Sequence, residues 1–252
     1  MTIKPDQLAR QLAELHGDNL YSIVQYGSSV GAGSGLGGGD DAGSSESHSE
    51  HRVHRLLVVL QQIGPSDLKR VRDVLQKWHQ AGNPIPTYFT LEEIRDASDV
   101  FPIEFLDMSQ RRKVLAGQDP FVDLQIPLNN LRHQVEYELR SKLIRLRALY
   151  LPASSQSGRL ATLMFDSLQS FAVVFRHVIH LLGGEPPSGK QKSISKLCEL
   201  LKLDHSVFAQ VERFGPEGAP MLEAETEQIF AAYLSQIERI IEAVDSLPDS
   251  GS

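Results

Sequence analysis

A Gly-Ser turn follows the first strand-like run of the chain and contains the residue types of a phosphate-binding site. Residues 21–26 (YSIVQY) are rich in β-branched and aromatic side chains, and Gly27, Ser28 and Ser29 come directly after them. Glycine lets an anion approach the backbone closely, and bare amides with a serine hydroxyl donate hydrogen bonds to phosphate oxygens. A tight turn without any ligand is the alternative, since glycine and serine are also ordinary turn residues.

A group of four cations forms the second candidate site. Arg140, Lys142, Arg145 and Arg147 fall on one predicted helix, and Arg140 and Arg147 lie seven residues apart on the same flank. If this flank faces the first half of the chain, it can bind a nucleoside triphosphate or an acidic substrate. If it faces water, it is an ordinary charged helix face. The sequence leaves its orientation open.

Three other patterns contain the residue types of known ligand sites, but the residues around each pattern do not support ligand binding. Residues 33–38 match G-x-G-x-x-G, but the glycines and serines that follow do not form the helix that a dinucleotide site needs. Residues 184–190 (GEPPSGK) resemble a phosphate-binding loop, yet Gln191 stands where a serine or threonine must bind magnesium. Histidines occupy every third position of residues 48–54, as metal ligands on a helix can, but their surroundings are typical of a loop.

Short apolar runs predict a mixed sheet in the first half of the chain. Four of them, at residues 21–26, 54–63, 84–90 and 102–107, are mostly separated by helical patterns. The second run has an uninterrupted apolar core that includes residues 56–59, which is typical of a strand that is buried on both faces.

Three helices are predicted around these runs, at residues 1–15, 65–82 and 91–98. The last begins with a capping box, in which Thr90 accepts a hydrogen bond from the Glu93 amide and the Glu93 side chain accepts one in return. Residues 31–50 are so rich in glycine and serine that we expect a flexible insert there.

From about residue 128 the strand patterns disappear and helices follow one another. Apolar residues at steps of three and four run from Leu131 to Tyr150, and residues 160–182 are apolar almost all the way round. The second segment is therefore predicted to be the central helix of a bundle. Further helices are predicted at residues 193–203, 205–214 and 224–247, before a disordered tail at 248–252.

Composition excludes several classes of protein. The chain has 252 residues with 25 Lys and Arg against 32 Asp and Glu, a net charge of -7, so duplex nucleic acid is not an expected partner. A single cysteine, Cys198, excludes an internal disulfide and a cysteine-cluster zinc site. No leader or membrane segment is evident, and we expect a soluble, cytoplasmic protein. A protein partner or a homo-oligomer stays open.

These features together resemble the nucleotidyltransferase superfamily typified by DNA polymerase beta, in particular its small bacterial branch of aminoglycoside-nucleotidyltransferase-like proteins. The resemblance rests on YGSS at 26–29, LLVVL at 56–60 and IEFLDM at 103–108, followed by RRKVLAG, and it covers roughly residues 18–118. It implies an α+β fold, with a small mixed-sheet nucleotidyltransferase-like domain at 1–120 followed by an all-α helical bundle at 128–247.

The resemblance also implies roles for individual residues. In this family, Mg²⁺ ions held by three carboxylates bind the triphosphate and activate the attacking hydroxyl. Glu104 matches the third carboxylate, and is the expected catalytic and metal-binding residue. Gly27, Ser28 and Ser29 match the nucleotide-binding turn, and Arg140 and Arg147 are added as nucleotide-binding candidates.

The acidic motif of the family is missing from its expected place. Val53, His54 and Arg55 stand where Asp-x-Asp should precede the apolar run. An arginine in the place of a metal-binding carboxylate repels a dication instead of attracting it. Mg²⁺ is accordingly expected only if the protein is active.

Three hypotheses of function follow. The first is a nucleotidyltransferase-fold protein with lost or weakened metal-dependent transfer, which acts as a binding or regulatory module. The second is an active enzyme that moves a nucleoside monophosphate to a small molecule, a protein or an RNA end, with Asp40, Asp41 or Glu46 completing the site. The third is a helical protein-interaction module on an inert α/β scaffold.

Overall fold

The computed structural model describes residues 3–27, 30, 53–216 and 223–248. The chain divides into two compact units, Met1–Ile126 and Pro127–Ser252. Ser28, Ser29, the predicted insert at 31–50 and the predicted tail beyond Pro248 lie outside the described residues.

The first unit contains a four-stranded mixed sheet with the spatial order β3-β2-β1-β4. Its strands are β1 (Leu20–Tyr26), β2 (Arg55–Leu60), β3 (Thr87–Thr90) and β4 (Arg112–Gly117). β1 pairs antiparallel with both β2 and β4, and β2 pairs parallel with β3. The mixed sheet and three of its predicted strands are confirmed.

The fourth predicted strand, at residues 102–107, is wrong, because these residues form a helix, α5 (Pro102–Gln110). Proline at the first helical position and Glu104 in the first turn are helix-start signals. Pro102, Phe105, Leu106 and Met108 are buried at helical spacing. The actual fourth strand is β4, which is mostly half-buried and has a single β-branched residue and no aromatic one, unlike the runs that predict the other strands.

Helices cover both faces of the sheet. On one face, α1 (Pro5–His16) and α3 (Arg72–Gln80), which follows the short helix α2 (Pro65–Arg70), contribute to a core that includes Leu12, Leu56, Val58 and Trp78. On the other, α4 (Leu91–Asp96) and α5 contribute to a core that includes Leu57, Val59 and Phe105. β2 is therefore buried on both faces, as its apolar run predicts.

The helices between the strands differ from the prediction at one point. The single helix expected over residues 65–82 is interrupted at Val71, which has φ −98° and ψ −3° and separates α2 from α3. The capping box of α4 is confirmed: Glu93 N–H donates to Thr90 Oγ1 at 3.1 Å, and Thr90 N–H donates to Glu93 Oε2 at 2.7 Å.

The described residues of the second unit are helical, without a strand. The helices are α6 (Leu128–Ala153), α7 (Ser157–Leu181), α8 (Lys190–Leu201), α9 (His205–Phe214) and α10 (Glu223–Asp245). α7 contacts each of the other four, and eleven of its residues are buried, so its predicted central position is confirmed. Among all the helices described, none is both long enough and apolar enough to cross a membrane.

Substitution of Gly117 by alanine is expected to destabilise the sheet. Gly117 has φ +75°, and an added Cβ would lie 2.1 Å from the Tyr21 carbonyl oxygen, a backbone atom that cannot swing away. We expect the free energy of unfolding to fall by more than about 2 kcal/mol, from backbone strain and overlap together. Urea unfolding followed by the fluorescence of Trp78, the one tryptophan, measures it.

Gly17→Ala is the control for this prediction. Gly17 also has positive φ, +54°, but nothing lies within 4 Å of its added Cβ. Its substitution should cost the backbone strain alone, about 1 to 3 kcal/mol, and less than the substitution of Gly117. Equal losses in the two variants would show that the close approach to Tyr21 is not what requires Gly117.

Acid should weaken the first unit through His16, the last residue of α1. Its side chain is buried, and its Nε2 lies 3.5 Å from the Tyr88 hydroxyl oxygen. Burial lowers the pKa of His16 below 6.5, with Asp67 opposing this effect and Arg70 adding to it. The unfolded chain therefore takes up a proton below about pH 6.5 that the folded chain does not, and the free energy of unfolding falls with decreasing pH.

His16→Gln removes this titration, so the fall in stability between pH 7.5 and 5 should be less steep than in the parent. Urea midpoints from Trp78 fluorescence across this range test the expectation. Parallel pH profiles for the two proteins would contradict it.

Candidate functional site

The candidate site of the first unit lies where β1 ends and two strands begin. Tyr26, the last residue of β1, pairs with Arg55, the first residue of β2, and with Arg112, the first residue of β4. Gly27 follows with φ +86°, a conformation that favours glycine. We call Gly27, Arg55 and Arg112 the arginine edge.

The two arginines of this edge share a face of the sheet. Strand side chains alternate between faces, so Arg55 lies on the same face as Leu57, and Arg112 on the same face as Val114. Leu57 and Val114 both belong to the core that includes Phe105. The arginine edge is therefore the polar margin of the sheet face that packs with α4 and α5.

The backbone at Gly27 is held by two hydrogen bonds. Gly27 N–H donates to the Arg111 carbonyl at 2.9 Å, which ties the end of β1 to the residue before β4. The Gly27 carbonyl accepts a hydrogen bond from Val30 N–H at 3.1 Å. The predicted phosphate-binding residues Ser28 and Ser29 lie outside the described residues, so their role stays a prediction.

Arg112 is fixed by contacts on its own face. Its Nε donates to both oxygens of Asp119, at 3.0 and 2.9 Å, and its Nη1 donates to the Ser109 carbonyl. Its guanidinium carbon also lies 5.7 Å from the centroid of the Phe121 ring. Asp119 thus offsets the charge of Arg112 and orients its side chain.

Arg55 is in a different situation, since its side chain is exposed. Within the part of the chain that the structure describes, no hydrogen bond or ion pair engages its guanidinium. The neighbouring His54 has structural contacts instead: its Nδ1 lies 3.1 Å from Gln25 Nε2, and its ring packs 6.3 Å from that of Trp78. His54 lies on the other face of the sheet from Arg55.

Glu104, the predicted third carboxylate, lies in the first turn of α5 and is exposed, rather than on a strand. Residues 3–27, 30, 53–216 and 223–248 contain no group of three His, Cys, Asp or Glu side chains that could hold a metal ion. Glu104 therefore has no two companions of this kind among them. Its catalytic and metal-binding roles stay predictions.

Arg140 and Arg147 are paired with carboxylates within the helical unit. Arg140 Nε lies 2.6 Å from Glu136 Oε1 and its Nη2 lies 3.5 Å from Asp245 Oδ2. Arg147 Nη2 lies 2.6 Å from Glu238 Oε1. This flank of α6 therefore contacts α10, an orientation that the sequence left open, and a role in nucleotide binding stays a prediction.

The same helix lines a cavity of about 310 Å³ between α6 and α7. Its lining combines apolar side chains, such as Leu146 and Phe171, with the cations Lys142 and Arg145 and the carboxylate of Asp166. Lys142 is already paired with Glu138, at 3.4 Å. All lining residues of the cavity belong to the helical unit.

In the sequence, Arg55 stands out only as a replacement for a carboxylate, and nothing marks Arg112, within RRKVLAG, as a site residue. The reason is that β4 was not predicted, so nothing placed Arg112 beside the Gly-Ser turn. The signal that was available is the position of RRKVLAG directly after a helix that starts with proline and ends near Gln110.

Comparison with known proteins supports the fold and gives no relative by sequence. No family model matches the chain, and no curated protein matches it. Among solved structures, it is similar to spectinomycin adenyltransferase AAD(9) from Enterococcus faecialis, determined with ATP and spectinomycin. The TM-score is 0.51 at 12% identity, over 95% of this chain and 99% of that one. The chain thus has a nucleotidyltransferase-like α+β domain followed by a helical region.

The ion pair between Arg147 and Glu238 can be measured by a double-mutant cycle. Both side chains are partly exposed, at 54% and 39%, so water screens the pair and we expect a coupling of about 0.2 to 1 kcal/mol. Arg147→Ala, Glu238→Ala and the double variant are compared by urea unfolding with circular dichroism.

ATP titrations of the same variants separate the structural role from the predicted nucleotide role. If Arg147 serves only to hold α6 against α10, both single variants keep the parent affinity. Weaker ATP binding in Arg147→Ala, with parent affinity in Glu238→Ala, would support the nucleotide-binding prediction instead.

Proposed function

We propose that the protein binds a nucleoside triphosphate at the arginine edge and does not transfer its nucleotidyl group, so that it acts as a binding or regulatory module. The nucleotidyltransferase-like fold supports a nucleotide ligand, because the similar AAD(9) structure contains ATP. The Gly27 turn at the end of β1 and the cations beside it supply the groups that bind phosphate.

The observation that carries the proposal is Arg55 at the first position of β2. Metal-dependent transfer in this fold requires carboxylates directly before the apolar run of that strand. A guanidinium there repels a cation by about 4 kcal/mol for each unit of charge at 4 Å and an effective dielectric of 20. Mg²⁺ also prefers oxygen ligands, which neither Arg55 nor Val53 supplies with its side chain.

Loss of the metal site would abolish nucleotidyl transfer but leave the binding of the triphosphate intact. When bound, the ions supply charge neutralisation at the phosphate and a lowered pKa of the attacking hydroxyl. Arg55 also supplies positive charge to the phosphate, but it does not coordinate the attacking hydroxyl as a metal ion does. A triphosphate can therefore be held here while the attack on its α-phosphate is not accelerated.

The proposal predicts no pyrophosphate release from ATP or GTP in the presence of Mg²⁺. The reaction is followed with the protein alone and with spectinomycin, a protein extract or RNA as acceptor. Glu104→Ala should leave this result unchanged, because one carboxylate does not by itself assemble the metal site.

Pyrophosphate release that Glu104→Ala abolishes would overturn the proposal. Deletion of residues 33–47 would then identify the source of the other carboxylates, since Asp40, Asp41 and Glu46 are removed together. Activity lost on this deletion would establish the enzyme hypothesis.

A further inference from the structure

We propose that the arginine edge holds the polyphosphate of a nucleotide through guanidinium contacts, without a divalent cation. This inference rests on the proposed function and specifies how its ligand is recognised. It assigns Arg55 a direct role, where the family resemblance shows only the loss of an acid.

The pairing of the strands places the two arginines on either side of one residue. Arg55 and Arg112 both lie opposite Tyr26, on the two neighbours of β1. Strands are about 4.8 Å apart, so the two arginine Cα atoms are about 10 Å apart across the end of β1. Since the side chains share a face, an anion placed over this end is within reach of both.

Arg55 is the principal ligand in this arrangement. A guanidinium is always charged, and its planar fork of five N–H donors matches phosphate oxygens in pairs. The guanidinium of Arg55 is exposed and is not engaged by any residue of the described chain, so no internal ion pair of that part has to break when phosphate binds.

Arg112 contributes less to phosphate binding than Arg55, because its Nε and Nη1 already donate to Asp119 and Ser109. The N–H groups that these contacts do not use, those of Nη2 and the second one of Nη1, are the donors that can reach an anion. Asp119 offsets its charge, so the attraction for an anion comes mainly from Arg55. The paired Arg112 is better suited to orient a phosphate than to supply the binding energy.

Mg²⁺ does not fit the residues that stand at its usual place. Of the three residues before the apolar run, Val53 has no side-chain donor, Arg55 is a cation, and His54 lies on the opposite face of the sheet against Gln25. Mg²⁺ bound to a triphosphate also removes negative charge from it. We therefore expect that the cation does not strengthen the binding of ATP and weakens it when in excess.

The test is a calorimetric titration of the full chain with ATP, once in EDTA and once in excess Mg²⁺. We expect ATP to bind in EDTA at least as tightly as in Mg²⁺. Arg55→Ala should weaken binding in EDTA ten-fold or more, and Arg55→Lys should weaken it less, because lysine keeps the charge but not the fork. Inorganic tripolyphosphate should compete with ATP.

Arg72→Ala is the matched control. Arg72 is an arginine on α3 with an exposed side chain that is paired only at the surface, with Asp73. Its removal changes the net charge as Arg55→Ala does, so parent affinity in this variant excludes a general charge effect. Trp78 fluorescence confirms that each variant is folded.

The outcomes distinguish this inference from the proposed function. ATP binding that appears only with Mg²⁺ would overturn the inference and leave the proposed function standing. Binding in EDTA that Arg55→Ala does not weaken, or that Arg72→Ala weakens equally, would overturn the assignment to Arg55. Absence of ATP binding in both conditions would overturn both.

Discussion

The side chains of β2 alternate between the two faces of the sheet, and each of them from Leu56 to Leu60 is buried. Burial of such side chains stabilises a fold by about 1.5 to 3 kcal/mol each, but only if both faces are covered. α1 and α3 therefore pack on one face and α4 and α5 on the other. β2 takes an inner place in the sheet, between β1 and β3.

This two-sided burial also decides where polar groups can lie. A charged side chain cannot be accommodated in the covered middle of β2 without a partner, so Arg55 is confined to the strand's first position, next to the water. The antiparallel pairing of β1 with β2 and β4 brings the ends of three strands together there. The arginine edge is thus a consequence of the same packing that builds the core.

In the helical unit the equivalent constraint is the burial of α7. Eleven of its 25 residues are buried, and α6, α8, α9 and α10 each contact it. The charged residues of α6 then lie at the edges of its contacts with neighbouring helices. The pairs of Arg147 with Glu238 and of Arg140 with Asp245 form at such a margin, where α6 meets α10.

Local patterns in the amino-acid sequence were sufficient for most of the elements. The continuous apolar run of β2, the capping box at Thr90 and the apolar stripe of α6 each specify one element through neighbouring residues, and each is confirmed. The residues of α5 show where this fails: PIEFLD has apolar residues suited to a strand, while its proline and first-turn glutamate favour a helix. These residues form the helix α5, which contacts β1.

The site depended on relations that no local pattern contains. That Arg55 precedes a buried strand could be taken from the sequence, and so could the absence of Asp-x-Asp. The position of Arg112 across β1 from Arg55 could not be taken from the sequence. β4 is only half-buried, and it pairs with a strand more than eighty residues earlier. The partners of Arg140 and Arg147 were hidden for the same reason, since ion pairs between distant helices follow from packing and leave no periodicity in the chain.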